Sequence, residues 1–145
     1  MSMEMHVFLQ QSKVPSVDQW QKALKDSGFG LTLDRRLSIQ TNTGYSPAVY
    51  KGIKTGFEFH LSPASEITET YENVADNIGS RELSANFVWG GDLRECVAAV
   101  IASAILAAVA DGVLYDPQEG LFFKGDEAIA MARQIIEEVD KLLKT

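Results

Sequence analysis

Two polar residues on one predicted strand are the first candidates for catalysis. Glu58 and His60 lie two positions apart in a stretch of alternating apolar and polar residues, 56–61, so their side chains share one face of a strand. At that distance a carboxylate can orient an imidazole for acid–base chemistry. With Tyr50, from the preceding loop, they would border the pocket of a small-molecule-binding protein or a hydrolase. The same alternation is typical of any half-exposed strand, and this structural interpretation is the favoured one.

A second pair of carboxylates, Asp116 and Glu119, lies in the sequence Asp-Pro-Gln-Glu-Gly between two apolar runs. This pattern predicts a turn between two strands. Both carboxylates could project from that turn toward a substrate or a protein partner. Asp before Pro and Glu before Gly are also what the geometry of a turn requires, so catalysis is not favoured here.

The patterns of metal centres and of common nucleophiles are absent from the sequence. His6 and His60 are the only histidines and fall on separate predicted strands, and Cys96 is the only cysteine. A zinc site with the usual His and Cys spacing is therefore not expected. Cys96 lies within an apolar helix, where burial raises the pKa of a thiol. No serine has a Gly-x-Ser-x-Gly context, and the glycines between 44 and 56 do not form a phosphate-binding loop. We expect neither a metal nor a cofactor.

Four acidic residues follow one another at helical spacing in the middle of the chain. Residues 65–79 are predicted to form a helix, because apolar residues recur there every three or four positions. The outer face of that helix carries acidic charges with no basic residue between them. It is either a solvated surface or a docking face for a cationic protein. The carboxylates concerned belong to Glu66, Glu69, Glu72 and Asp76.

The net charge of the whole chain also favours a basic protein as the partner. Its formal charge is −7, whereas binding to nucleic acid requires clustered Lys and Arg. A nucleic-acid partner is therefore not expected, and a basic protein would suit the chain better.

No apolar run approaches the ~20 residues that a membrane span needs, and the single cysteine indicates a reducing compartment. Because the N-terminus carries neither a basic leader nor a long apolar segment, we expect a cytoplasmic protein.

An apolar stretch, 92–112, organises the fold. Asp92, with Glu95 three residues later, predicts a capped helix start, and Gly112 is expected at the left-handed position that ends the helix. Apolar side chains surround this helix, so it should lie between a sheet and either a second helix or a partner subunit. The edge strand of the hairpin that follows, or a stripe of small residues along the helix, could mediate a homodimer. The stripe consists of Cys96, Ala99, Ser103, Ala107 and Ala110.

The order of the elements predicts an α+β fold in one domain, residues 1–145. We expect a two-layer sandwich: a mostly antiparallel or mixed sheet of about five or six strands, a buried central helix and a C-terminal amphipathic helix. Residues 41–56 are expected to form a loop or a short edge strand. The predicted strands are 5–9, 31–34, 37–40, 56–61, 82–89, 112–115 and 121–123, some of them short or bent; the predicted helices are 16–28, 65–79, 92–112 and 126–144.

Local residue patterns support the first and the last of these helices. Ser16 with Gln19 three residues on forms a capping-box pattern, and Gly28 predicts the end of the first helix. The last helix has acid–base pairs at a spacing of four, which stabilise an exposed helical face. The pairs are Glu137 with Lys141 and Asp140 with Lys144.

The C-terminal half of the chain resembles several families of small uncharacterised bacterial proteins. The segment WGGDLRECVAAVIASAILAAVADGVLYDPQEGLFF, followed by a capped helix, is similar to an alanine-rich helix that leads into a Gly-Val-Leu-Tyr-Asp-Pro-Gln-like hairpin. Some domains of this kind accompany polymorphic toxins and act as immunity proteins. The resemblance implies a non-enzymatic domain that neutralises a cognate toxin, with the acidic surface as the binding site for a basic toxin domain. The matched residues mainly build the fold and carry no catalytic motif.

Overall fold

The computed structural model describes residues 2–143 of the chain. Its strands are β1 (Met3–Leu9), β2 (Leu31–Leu33), β3 (Tyr45–Tyr50), β4 (Ile53–Pro63), β5 (Leu83–Trp89), β6 (Val113–Asp116) and β7 (Leu121–Lys124). Its helices are α1 (Val17–Ser27), α2 (Ala64–Thr68), α3 (Ala75–Ile78), α4 (Leu93–Val109) and α5 (Gly125–Leu143), and a single 3-10 turn covers Gln11–Lys13.

The strands form one antiparallel sheet in the order β2-β3-β4-β5-β1-β6-β7. The α+β class is confirmed, but the sheet has seven strands where the sequence predicts about five or six. β1 lies inside the sheet, between β5 and β6, as its apolar residues on both faces predict. The interior strand β3 lies in the segment 41–56, for which the sequence predicts a loop or a short edge strand.

The hairpin of β3 and β4 explains why Pro47 does not prevent a strand. Lys51 and Gly52 have φ values of 48° and 82°, which is the signature of a two-residue type I′ turn. Counted from this turn, Pro47 falls in a non-hydrogen-bonded pair with Gly56, so its nitrogen faces away from β4. β2 pairs only with Ala48–Tyr50, and the missing N–H of Pro47 therefore costs no ladder bond.

One face of the sheet, the inner face, is covered by α1, α4 and α5. α4 packs against both the sheet and α5, so its second neighbour is a helix of the same chain rather than a partner subunit. The small-residue stripe lies within the chain: Ala99, Ser103 and Ala107 are fully buried, and the Ser103 hydroxyl contacts Met5 Sδ of β1 at 3.8 Å. This stripe is therefore not a surface through which a second copy could dock.

The ends of α4 are built partly as predicted. The Asp92 carboxylate accepts hydrogen bonds from the backbone N–H groups of Arg94 and Glu95, at 2.8 and 3.2 Å. The prediction that Gly112 adopts the left-handed conformation is wrong, because that conformation belongs to Asp111, with φ of 52°. Gly112 is required for a different reason: a Cβ there would lie 2.9 Å from the Phe8 carbonyl oxygen.

The structure also tests the predictions for the first helix, for residues 31–40 and for the C-terminal helix. α1 has the full capping box of Ser16 and Gln19 and ends at Gly28 in the left-handed conformation, as expected. Of the predicted strands 31–34 and 37–40, only the first forms, as Leu31–Leu33, because the Asp34 carboxylate binds both the N–H and the guanidinium of Arg36 and closes a turn. The C-terminal helix is confirmed, but Lys144, and with it the Asp140–Lys144 pair, lies outside the described residues.

The predicted continuous helix over 65–79 is wrong. It is divided into α2 and α3, of five and four residues. Thr70 donates its hydroxyl to the Glu66 carbonyl at 2.9 Å, and Asn73 takes a positive φ of 67°, so local side-chain bonds and a left-handed residue interrupt the helix. The segment packs on the second face of the sheet, the outer face, around Phe8, Val74, Ile78 and Tyr115.

Candidate functional site

The outer face carries three rows of aligned residues across β1, β5 and β4. Directly opposed residues of antiparallel strands project from the same face, and the strand register therefore places nine side chains in a regular array. The rows are Glu4–Val88–Glu58, His6–Asn86–His60 and Phe8–Ser84–Ser62. The middle row brings the two histidines of the chain to either side of Asn86.

Asn86 is the centre of a buried hydrogen-bond network. Its Oδ1 accepts hydrogen bonds from His6 Nδ1 and from the Ser84 hydroxyl, both at 2.6 Å. Its Nδ2 donates to the Ser62 hydroxyl at 2.8 Å and to His60 Nε2 at 3.2 Å. The four bonds use the whole hydrogen-bonding capacity of the amide, so Asn86 holds both imidazoles in fixed positions.

Glu4 connects this network to the segment that crosses the outer face. Its Oε1 lies 3.1 Å from His6 Nε2 and accepts a hydrogen bond from the Tyr71 hydroxyl. Burial raises the pKa of Glu4, but the hydrogen bonds from Tyr71 and His6 outweigh it, and the pKa lies below its usual value. The bond to Glu4 raises the pKa of Tyr71 to about 12.

A cavity of about 320 Å³ opens beside the network. The sheet forms one side of it, and α2 with the turn that follows forms the other. Two carboxylates, those of Glu4 and Glu66, line this cavity, and no Lys or Arg of the described chain does. The lining residues of the sheet are Glu4, His6, His60, Asn86 and Val88, and those of the crossing segment are Glu66, Ile67, Thr70 and Tyr71.

The four predicted partner-binding carboxylates of this segment define the acidic strip: Glu66, Glu69, Glu72 and Asp76. All four side chains are exposed even though the helix that was predicted to carry them is interrupted. None of them forms an ion pair within residues 2–143, and the sequence has no Lys or Arg between Lys54 and Arg81. The exposed Glu58 adds a further carboxylate on the same face.

The structure does not bring Tyr50 to the other two residues of the predicted pocket. Glu58 and His60 are exposed on the outer face, whereas Tyr50 is buried on the inner face. Its hydroxyl contacts the Asp140 carboxylate of α5 at 3.2 Å, and Lys51 forms an ion pair with the same carboxylate at 3.0 Å. Tyr50 therefore helps to attach α5 to the β3–β4 hairpin.

The predicted turn of Asp116 and Glu119 lies next to Glu4. Asp116 is half-buried and accepts the backbone N–H groups of Gln118 and Glu119, at 3.0 and 3.4 Å, while burial raises its pKa. Gln118 exchanges two hydrogen bonds with the Glu4 backbone, each 3.0 Å long. Asp116 thus shapes the turn, Glu119 is exposed, and the turn borders the same acidic region.

Sequence reasoning missed the residues that hold this site together. The sequence predicts a strand at Asn86 and a helix at Tyr71 but no chemical role for either, and Glu4 lies just before the first predicted strand. The alternation of β5 could have revealed Asn86, because a strand with apolar residues on one face and small polar residues on the other requires partners for those polar groups when both faces are covered. The pairing of β5 with both histidine-bearing strands is not encoded in any local pattern.

Comparison of the chain with protein-family models and with curated proteins gives no match. The resemblance of its C-terminal half to immunity domains therefore stays a prediction. Within residues 2–143, no group of three or more His, Cys, Asp or Glu side chains could hold a metal ion, and none of the helices there combines the length and apolar character needed to cross a bilayer. Burial raises the pKa of the half-buried Cys96 thiol, as predicted.

Proposed function

We propose that this chain is a non-enzymatic protein-binding domain whose outer face binds a basic protein. The observation that supports it most strongly is the acidic strip, whose four exposed carboxylates have no ion-pair partner in the described chain. Exposed charges of one sign steer an oppositely charged partner and fix its orientation. Glu58, on the outer face of β4, and Glu119, in the turn next to Glu4, are further exposed carboxylates.

The resemblance to immunity domains suggests the class of protein to which this partner belongs. We propose that it is a basic toxin domain, neutralised in the cytoplasm by the domain described here. Such a partner would be recognised by its positive surface, and the formal charge of −7 disfavours nucleic acid as the alternative partner.

Capture from a lysate of the source cells tests the proposal with matched charge changes. The bait proteins are the wild type, Glu69→Lys/Glu72→Lys in the strip, and Glu137→Lys/Glu138→Lys on the exposed surface of α5. Both variants change the net charge equally. We expect a basic protein, identified by mass spectrometry, on the wild type and on the α5 variant, with at least a tenfold loss on the strip variant. Equal capture by all three baits would contradict the proposal.

A second candidate function is a small-molecule binder or a hydrolase that uses the cavity at His60. The observation in its favour is the position of that exposed imidazole, which Asn86 orients at the border of a cavity lined by Glu4 and Glu66. A ligand that raises the melting temperature of the wild type but not of His60→Ala would favour this function. Loss of protein capture in the strip variant would favour the first.

A further inference from the structure

We propose that the cavity beside His60 is a socket for one arginine side chain of the basic partner. This inference rests on the proposed function, because it assigns the anchor of the same interface. It adds a specific binding site to a surface that otherwise acts only through its overall charge.

The free carboxylate positions of the cavity favour a cation. Glu4, which is paired with His6, and Glu66 contribute carboxylates, His60 contributes an exposed imidazole, and no Lys or Arg from the described residues lines the walls. Glu4 Oε1 is occupied by His6 and Tyr71, but its Oε2 makes no hydrogen bond within residues 2–143, and neither does the Glu66 carboxylate. Two carboxylate groups with free acceptor positions match a guanidinium, which presents five N–H donors in a planar fork.

The shape of the cavity suits a long side chain with a planar end. Ile67 and Val88 provide apolar walls for the aliphatic stem of an arginine. The Tyr71 ring provides an aromatic surface, over which a guanidinium is attracted more than over an aliphatic wall. A volume of about 320 Å³ lies at the lower end of the range for ligand cavities, which favours one side chain over a large ligand.

The walls are already held in position before a partner arrives. The Tyr71 hydroxyl is bound to Glu4, and its ring packs edge-on against Tyr115 with 5.5 Å between the centroids. The floor is fixed by the four hydrogen bonds of Asn86. Binding therefore requires little ordering of the protein, and this preorganisation strengthens the interaction of a single side chain.

The test uses Nα-acetyl-L-argininamide as the probe and its neutral analogue Nα-acetyl-L-citrullinamide as the control. The imidazole NMR signals report binding without ambiguity, because His6 and His60 are the only histidines. We expect the arginine probe to shift the His60 and Tyr71 signals, and the citrulline analogue to shift neither. Glu66→Gln should weaken binding of the probe by about tenfold, a factor typical of one charge-assisted hydrogen bond. The matched control is Glu69→Gln, which neutralises an exposed carboxylate outside the cavity and should change the affinity less than about twofold.

Several results would overturn the socket. Absence of His60 shifts with the arginine probe, equal binding of the citrulline analogue, or equal weakening by the two glutamine variants would each do so. The tests distinguish failure of the socket from failure of the acidic surface. If only the socket is wrong, the arginine probe does not bind, but Glu69→Lys/Glu72→Lys still loses the partner. If the probe binds but Glu66→Gln captures the partner as well as the wild type, the cavity holds a free organic cation and not an arginine of the partner.

Discussion

The ionisation of Tyr71 depends on a single carboxylate. Its hydroxyl donates a hydrogen bond to Glu4, and this bond, the proximity of the charge and burial together raise the pKa of Tyr71 to about 12. Replacing Glu4 by Gln keeps an acceptor but removes the charge. We therefore expect the pKa of Tyr71 to fall toward the ordinary value of about 10. Tyrosine ring signals followed by NMR across an alkaline titration measure this change.

The control for this titration is Glu138→Gln, which removes an exposed charge from α5. It should leave the pKa of Tyr71 near 12. An unchanged titration of Tyr71 in Glu4→Gln would show that Glu4 and Tyr71 are not bonded in solution, and the geometry of the cavity would then have to be revised.

The hydrogen bond between Glu4 and Tyr71 also makes the free energy of unfolding depend on pH. The folded-state pKa of Tyr71 is raised, so its contribution to the free energy of unfolding is complete below the unfolded value near 10 and is lost as pH rises toward about 12. The pKa of Glu4 is lowered, so its contribution is present above the ordinary value of 4.5 and is lost in more acidic solution. Both contributions depend in part on the hydrogen bond between the two residues, so in Glu4→Gln that of Glu4 should disappear and that of Tyr71 should become smaller.

At the scale of single residues, the sequence predicted exposed candidates better than buried ones. Glu58 and His60 do share one face, because the alternation of a strand requires it. Asn86 could not be recognised as their neighbour, since its role comes from the pairing of β5 with β1 and β4. Tyr50 was grouped with them by its proximity in sequence, although the register of the β3–β4 hairpin places it on the inner face.

Among the helices of the inner layer, α4 is the most completely buried. Ile101 is fully buried in its middle, and α4 packs against the sheet, α5 and α1. We expect Ile101→Ala to lower the free energy of unfolding by about 2–5 kcal/mol through lost contacts and a residual cavity. Urea unfolding followed by circular dichroism gives this value.

A matched substitution on the same helix is Val109→Ala, at a side chain that is 40% exposed. It should cost less than about 1 kcal/mol, because an exposed side chain leaves no cavity. Similar values for the two variants would contradict the assignment of α4 as the centre of the core.

The elements that the sequence predicted correctly are those whose ends and faces are encoded locally. α1 has its capping box and its final glycine, and the apolar face of α5 repeats at helical spacing. Two other elements were predicted incorrectly, for different reasons. β3 contains Pro47, which is acceptable because it lies just beyond the end of β2, so tertiary structure outweighs local propensity there. The helix over 65–79 is broken locally, where Thr70 bonds to the Glu66 carbonyl and Asn73 takes a positive φ.

For the whole molecule, the outer face has two chemically different halves. The half over β1, β5 and β4 carries the acidic strip and the cavity at His60. The other half, at the β2–β3 edge, has a cavity of about 520 Å³ that is bordered by Lys54, the exposed Tyr45 and the ion pair of Arg36 with Asp34. A basic partner would be attracted to the acidic half and not to the other, so this charge distribution favours a single orientation of binding.

The proposal that the acidic strip binds a basic protein is tested most directly by the association rate of the captured partner as a function of salt. Exposed charges interact over a Debye length of about 10 Å at 0.1 M salt. Association with the wild type should therefore slow as salt rises, while dissociation changes less. Glu69→Lys/Glu72→Lys should associate more slowly at low salt, and Glu137→Lys/Glu138→Lys should follow the wild type. Both variants should keep their stability within roughly 0.5 kcal/mol per site. Equal association rates for all three proteins at every salt concentration would place the interface elsewhere and contradict the proposed function.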